Sequence, residues 1–397
     1  MPTALVVSNR LPWPLEDGSR VRMFHLLRGI AAEFKTTLLT LNDARETPNI
    51  DEFRMAVGGE LELRVVPIQT RHSLRSLCLG LLTHTPLHVW SYRHLTLKRA
   101  IADYIRFSGT PSVAVALSPF LADQLPFADG KTTRVLDAQN LYGDLLFEYA
   151  TRSRGVRKWY YKLTAAKVKS WEAHWHRQFD RVWCCSVVEQ NMVNARAPEQ
   201  PARLVPNGVS LSEFPPAERN LVVFFGRLDY LPNIDALNYL CETILPVLSE
   251  NAPSQRLTVI GKGASPDLEH HLVNHSQINY VGPVDFMGTW LARAKFCVVP
   301  LRIGGGTRLK ILEAMGAGVP VLSTSKGSEG LELEAGTHIL IANDVSDFVE
   351  RWIQLDQDHD LRERLASAAL RRIREVYGWE TIVQRAITDL GIEGLDR

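Results

Sequence analysis

The chain has 397 residues, 45% of them apolar, with 45 Lys and Arg against 44 Asp and Glu. This length predicts about two domains, and the apolar share excludes a chain disordered throughout. A net charge of +1 gives no global attraction to nucleic acid, and no window approaches the roughly 18 apolar residues of a membrane-spanning helix.

The first segment, Thr3 to Ser8, is an apolar run without polar alternation, as in a strand buried on both faces of a parallel sheet. Its Ala4-Leu5-Val6-Val7 core has no basic flank and is too short for a signal peptide. A loop with Pro12, Pro14, Asp17 and Gly18 follows. Phe24, Leu27, Ala31 and Phe34 then mark one face of a helix, with Ser19 as its expected N-cap. Further strands are predicted at Thr36–Leu41, Leu63–Ile68, Ser112–Leu117, Arg134–Ala138 and Arg181–Cys185. Pro206-Asn207-Gly208 and Pro215-Pro216 interrupt the alternation. It restarts at Leu221–Phe225, Leu257–Ile260, Ile278–Val281, Phe296–Pro300, Val319–Ser323 and His338–Ile341. Helices are predicted over Val345–Leu355, Leu361–Tyr377 and Glu380–Leu390. Strands alternating with helices make an α/β fold of two doubly wound domains, whose ligands bind beyond the carboxyl ends of the strands. The five cysteines, Cys78, Cys184, Cys185, Cys241 and Cys297, lack C-x-x-C spacing and read as reduced, mostly buried thiols of a cytosolic protein.

Three loops after strands carry candidate chemistry. In Pro300–Met315 a strand leads through Gly304-Gly305-Gly306 into a helix expected to start near Thr307, with Arg308 and Lys310 beside it. Glycine backbone N–H groups, a helix N-terminus and two cations suit a diphosphate. The Gly-Lys-Ser/Thr ending of a Walker loop is missing. Solvated basic residues on a tight turn are the plainer alternative. Glu313, roughly one and a half turns into that helix, either accepts hydrogen bonds from a ribose or belongs to a structural ion pair. Gly226-Arg227 ends the first strand of the second domain, where Arg227 can grip phosphate bidentately or sit as a surface arginine. Asp17-Gly18-Ser19-Arg20 is the third loop, with helix capping as its plainer role.

Gly304–Gly318, Val319-Pro320-Val321-Leu322 and Gly327-Ser328-Glu329-Gly330-Leu331 together resemble the donor-sugar domain of glycosyltransferase family 4, of GT-B fold. Val205-Pro206-Asn207-Gly208-Val209 resembles that family's interdomain segment. Pro232-Asn233, Ile244-Leu245-Pro246 and Leu11–Leu27 resemble a bacterial sugar-transferase branch. The resemblance implies two Rossmann-like domains facing across a cleft: residues 1–205 for the acceptor, 206–377 for the nucleotide sugar, and a 378–397 helix returning to the first domain. It implies retaining transfer from an NDP-sugar to a glycan or lipid-linked acceptor in cell-surface polysaccharide or glycolipid synthesis. Arg227 and Lys310 would stabilise the leaving diphosphate, with Arg308 helping. Glu313 would hold the ribose, Gly226, Gly305, Gly306 and Thr307 would line the donor, and Gly18 would approach the diphosphate from the first domain. Neutralising charge where it develops agrees with that chemistry.

The sequence departs from the family in three places. Gly305 stands where the family often has a Glu, eight positions before Glu313. Asp229–Asn233 lacks the Lys that often follows the Gly-Arg loop, and the usual first-domain His is not evident. Asp137 and Asn140 occupy the region of that His, with turn capping as their alternative role. Asp356-Gln357-Asp358 reads as a helix-capping turn, and His174 and His176 diverge on a helix, so no metal site and no cofactor is expected. Trp171 and Trp175 read as core or a docking face. Arg152–Lys169 contains seven Lys and Arg and no acid, interleaved with Trp159, Tyr160, Tyr161 and Leu163. It suits an anionic membrane surface or a lipid-phosphate acceptor as well as a solvated face, and Arg71–Lys98 with Leu77, Leu79, Leu81 and Leu82 adds to it. The protein is expected to be cytoplasmic, peripheral at the inner face of the membrane. Two rivals share the fold: a nucleotide-sugar 2-epimerase, and a subunit that binds nucleotide sugar without transfer.

Overall fold

The computed structural model describes residues 1–43, 49–68, 83, 85–126, 130–211, 217–305 and 307–391. It divides into two compact units, Met1–Asn207 with Ile382–Arg397, and Gly208–Thr381. The first holds strands β1 (Thr3–Ser8), β2 (Lys35–Asp43), β3 (Leu61–Ile68), β4 (Val113–Ala116), β5 (Thr133–Asp137), β6 (Arg181–Cys184) and β7 (Arg203–Leu204). They form one sheet in the order β3-β2-β1-β4-β5-β6-β7, and every neighbouring pair is parallel. The second unit holds β8 (Leu221–Phe225), β9 (Leu257–Ile260), β10 (Ile278–Gly282), β11 (Ala294–Val299), β12 (Val321–Ser323) and β13 (Leu340–Ile341). Its sheet runs β10-β9-β8-β11-β12-β13, again parallel throughout.

Burial explains the unalternating apolar runs. Ala4 to Val7 and Phe296 to Val299 are wholly inaccessible, as central strands covered on both faces must be. Each unit has its own core, one around β1, β2 and β4, the other around β8, β9 and β11. Cys184, Cys185, Cys241 and Cys297 are free and buried. Burial pushes the Cys241 and Cys297 thiols up to about 12, which leaves them unreactive. Cys78 lies outside the described residues, as do Pro215 and Pro216 and the whole segment from Arg71 to Leu82.

The C-terminal helix Trp379–Asp389 is tied to the first unit through Asp389. Trp183 Nε1 donates to its carboxylate at 2.8 Å, and Arg203 Nε at 2.9 Å. Local boundaries move slightly from expectation. Asp17, not Ser19, caps the helix Gly18–Glu33, accepting from the backbone N–H of Ser19 and Arg20. An Asx side chain two residues earlier reaches both amides, which frees the Ser19 hydroxyl to donate to Gln139 Oε1 at 2.8 Å.

Candidate functional site

In both sheets the strand order reverses between two neighbours, β1 and β4 in the first, β8 and β11 in the second. At such a point adjacent connections leave on opposite sides and open a crevice at the carboxyl ends of the strands. In the second domain those ends carry Gly226 and the Gly304–Gly305 turn.

Gly226 has φ +138°, which a side chain resists. A Cβ there would lie 3.0 Å from Asn233 Nδ2 and 3.3 Å from Lys310 Nζ. The missing side chain therefore leaves room for both groups. Asn233, buried near the start of the helix Leu231–Tyr239, ties this corner together. Its Nδ2 donates to the Arg227 carbonyl at 2.7 Å, and its Oδ1 accepts from Lys310 Nζ at 2.7 Å. The ammonium also lies 4.2 Å from the centre of the Phe224 ring. Lys310 is only partly exposed, and burial lowers its pKa to about 8. Such a cation, short of water and held by one amide, favours an incoming anion.

The glycine turn is braced from inside. Gly304 has φ +117°. Arg308 is buried, and its guanidinium donates to the carbonyls of Gly304 at 2.6 Å, Gly305 at 2.8 Å and Lys326 at 3.1 Å. Glu329 lies 3.8 Å from it. Arg308 thus braces the loop through both terminal nitrogens of its guanidinium, a local role beside the diphosphate contact expected of it. Among the described residues a Cβ at Gly305 would meet nothing within 4 Å. Gly306 lies outside the described residues. The helix begins at Leu309, two residues later than expected, with Arg308 at its cap position and no side chain capping it. Thr307 precedes it, its carbonyl accepting from Leu309 N at 2.9 Å.

Glu313 follows Lys310 by three residues on the helix Leu309–Gly316, so the two share a face. Its side chain is open to solvent, yet the surrounding protein pushes its carboxyl up to about 7, against the pull of Lys310. Arg227 is exposed and already engaged. Its Nε and Nη2 reach the two Asp229 oxygens at 2.9 and 2.5 Å, which holds the Asp229 carboxyl below its ordinary value. The sequence showed this acid two positions on, a signal that the fork has a local partner.

In the first domain Gly18 opens the helix Gly18–Glu33, beside Asp17, whose carboxylate pairs with Arg10 at 2.6 Å. Asp137, expected on the acceptor side, is fully buried and clamped by Arg22, with Nε at 2.9 Å and Nη2 at 2.7 Å from Oδ1. Arg22 Nη1 also donates to the Val205 and Pro206 carbonyls at 2.8 and 3.1 Å and to Asn207 Oδ1 at 3.2 Å. Burial opposes the Arg22 charge, but Asp137, Cys185 and Glu189 together raise its pKa. Asp137 is thus a structural anchor, because a buried guanidinium requires a fixed counter-charge. Asn140 turns the chain after β5, its N–H donating to the Ala138 carbonyl at 2.6 Å. Before it Gln139, at φ 54°, donates to the Leu117 carbonyl at 2.7 Å.

Among the described residues no cluster of His, Cys, Asp and Glu is placed to hold a metal ion. Asp356 pairs with Lys295 at 2.5 Å, and Asp358 caps the following helix through Leu361 N. His176 is buried and His174 exposed on the same helix, while Trp171 and Trp175 pack with ring centres 5.5 Å apart. No helix among the described residues is long and apolar enough to cross a membrane.

Residues 219–358 match the family model for glycosyl transferases group 1. An uncharacterized 44.6 kDa protein in the cps region of Klebsiella pneumoniae is 29% identical over 164 residues, which are 39% of this chain and 42% of that relative. The alignment thus spans less than half of the curated relative. Among solved structures, sucrose-phosphate synthase from Thermosynechococcus elongatus aligns over 97% of this chain and 98% of its own, at 16% identity and a TM-score of 0.68. HepE from Anabaena, solved with UDP and glucose, aligns over 99% and 100%, at 13% identity and a TM-score of 0.67. At such identities the likeness speaks for the fold. The chain has the GT-B fold, and its second domain is similar over residues 219–358 to the glycosyl transferases group 1.

Proposed function

We propose that this protein is a retaining glycosyltransferase of the family 4 kind, transferring a sugar from an NDP-sugar to a glycan or lipid-linked acceptor. Cell-surface polysaccharide or glycolipid assembly in the cytoplasm is the proposed setting, in keeping with the cps-region relative. The observation that carries the proposal is the Lys310 ammonium, desolvated and pinned by Asn233 beside Gly226 at the strand-order reversal of a domain similar to glycosyl transferases group 1. A leaving diphosphate gathers negative charge as the glycosidic bond breaks, and a preorganised cation lowers that barrier most.

Each donor-side residue then has a role. Gly226 gives the diphosphate access to Lys310. Gly305, Gly306 and Thr307 line the donor, and the helix N-terminus at Leu309 supplies partial positive charge. Arg308 fixes that turn. Arg227 joins by exchanging Asp229 for phosphate; an exposed ion pair is worth about 1 kcal/mol or less, so the exchange is cheap. Glu313 accepts from the ribose. Gly18 and the acceptor belong to the first domain. We assign the leaving-group charge to these cations and propose that no divalent cation is required.

The test is turnover of UDP-, GDP- and ADP-sugars with and without acceptor extract, in chelator. One donor consumed only with acceptor supports transfer, and consumption without acceptor points to the epimerase. Loss in chelator restored by magnesium or manganese overturns the metal-free assignment.

A further inference from the structure

The helices Tyr142–Arg152 and Gly155–His176 pack against each other in the first domain. The longer one presents two unlike faces. Ala165, Val168, Glu172 and His176 are buried, as their spacing of three and four requires. Val156, Trp159, Tyr160 and Leu163 repeat the same spacing on the roughly opposite face, where they are 85%, 67%, 44% and 65% exposed. Four large apolar side chains in one exposed stripe are not the scattered surface hydrophobics of an ordinary domain. Phe147, 48% exposed on the neighbouring helix, adds a fifth large apolar side chain to the surface near Lys169, whose Nζ lies 4.7 Å from its ring.

Charge borders this stripe on both sides. At about 100° per residue, Arg157 falls on one flank of it and Lys162 on the other. Both are exposed, as are Arg152, Arg154 and Lys158 at the helix start. Lys162 Nζ sits 5.7 Å from the Trp159 ring. From 152 to 169 there is no Asp or Glu. On the neighbouring helix Asp144 is already paired with Lys169 at 2.9 Å and Arg196 at 2.7 Å, and Glu148 is partly buried.

We propose that this face docks on an anionic lipid bilayer: the apolar stripe enters the headgroup region while the flanking cations meet lipid phosphates. An apolar strip edged by cations, with an aromatic ring at the boundary, matches the interfacial layering of a membrane. A second copy of the chain fits worse. A two-fold contact through this face would crowd Arg157 and Lys162 with their own counterparts, and residues 152–169 hold no acid to offset them.

Flotation of the full chain with phosphatidylcholine vesicles, and with vesicles of phosphatidylcholine and phosphatidylglycerol in equal parts, tests this. Binding is expected to the mixed vesicles only and to weaken with salt. Each cation removed costs about fivefold in partition, so Arg157→Ala with Lys162→Ala loses roughly thirtyfold. Trp159→Asp with Leu163→Asp also loses binding, and both variants keep the parent melting temperature because every altered side chain is exposed. Quenching of wild-type tryptophan fluorescence by brominated lipid is expected to fall in Trp159→Phe. Equal binding to both vesicle types, undiminished binding of either double variant, or a dimer in sedimentation equilibrium that Trp159→Asp with Leu163→Asp dissolves would each overturn the proposal.

Discussion

Replacing Lys310 by Met keeps the length of the side chain and removes its charge. Two opposite consequences follow. The ammonium now sits where burial lowers its pKa from 10.5 to about 8. Taken whole, that fall corresponds to roughly 3 kcal/mol of destabilisation at neutral pH; partial exposure reduces it to about 1–2 kcal/mol. Met avoids this cost and gives up the Asn233 hydrogen bond and the Phe224 contact, worth about 1 kcal/mol each. Thermal stability should therefore change little. The rate should fall steeply, because removing one preorganised contact to developing charge costs about 3–4 kcal/mol of barrier, or a few hundredfold. The loss belongs in kcat more than in donor affinity. A pH profile adds a second readout. With its folded pKa below the unfolded one, Lys310 binds fewer protons in the native state between about 8 and 10.5, so stability rises with pH across that window. Activity at limiting donor falls as pH rises through about 8, since only the charged form opposes the diphosphate. Steady-state kinetics beside thermal melts of both proteins decide the matter. A rate within tenfold of wild type, or a loss that merely tracks a large drop in melting temperature, would refute the role given to Lys310.

Three other outcomes are expected. Glu313→Gln should weaken nucleotide diphosphate binding in calorimetric titration with near wild-type melting; a large melting drop with unaltered affinity would assign it to structure. Gly226→Ala strains a backbone at φ +138° and crowds Asn233 and Lys310, so it should lose tenfold or more in rate and roughly 1–3 kcal/mol of stability in urea. His176 is inaccessible, with its pKa lowered to about 4, first by burial and then by Arg196 and Arg177. Its contribution is present above about 6.5 and is lost as pH falls toward 4, to the extent of about 3 kcal/mol. His176→Phe should flatten that acid limb in urea unfolding at pH 7 and pH 4, and an unchanged limb would count against it.

What could be read from the sequence was what a few neighbouring residues decide. Strand positions such as Leu221–Phe225 and Leu257–Ile260 follow from unbroken apolar runs, and the glycine turn before Lys310 from its own composition. What depends on topology was hidden. Arg22 and Asp137 are 115 residues apart, and Asn233 and Lys310 are 77 apart. Each pair is brought together only by the strand order, β1 near β5 in one sheet, β8 beside β11 in the other. From the sequence Asp137 therefore reads as an acceptor-side or a turn-capping group, and nothing there shows that Asn233 meets Lys310. Arg308 shows a related limit: a basic residue after glycines can brace their carbonyls as well as face phosphate, and its burial is visible only in the fold. Position 305 completes the contrast. Gly226 and Gly304 have backbone angles that favour glycine, whereas the space beside Gly305 is open and its φ is not positive. Among the described residues nothing in the local packing demands glycine at 305. If the neighbouring turn receives the donor, the vacant side-chain volume belongs to the sugar, and sugar contact there passes to the backbone.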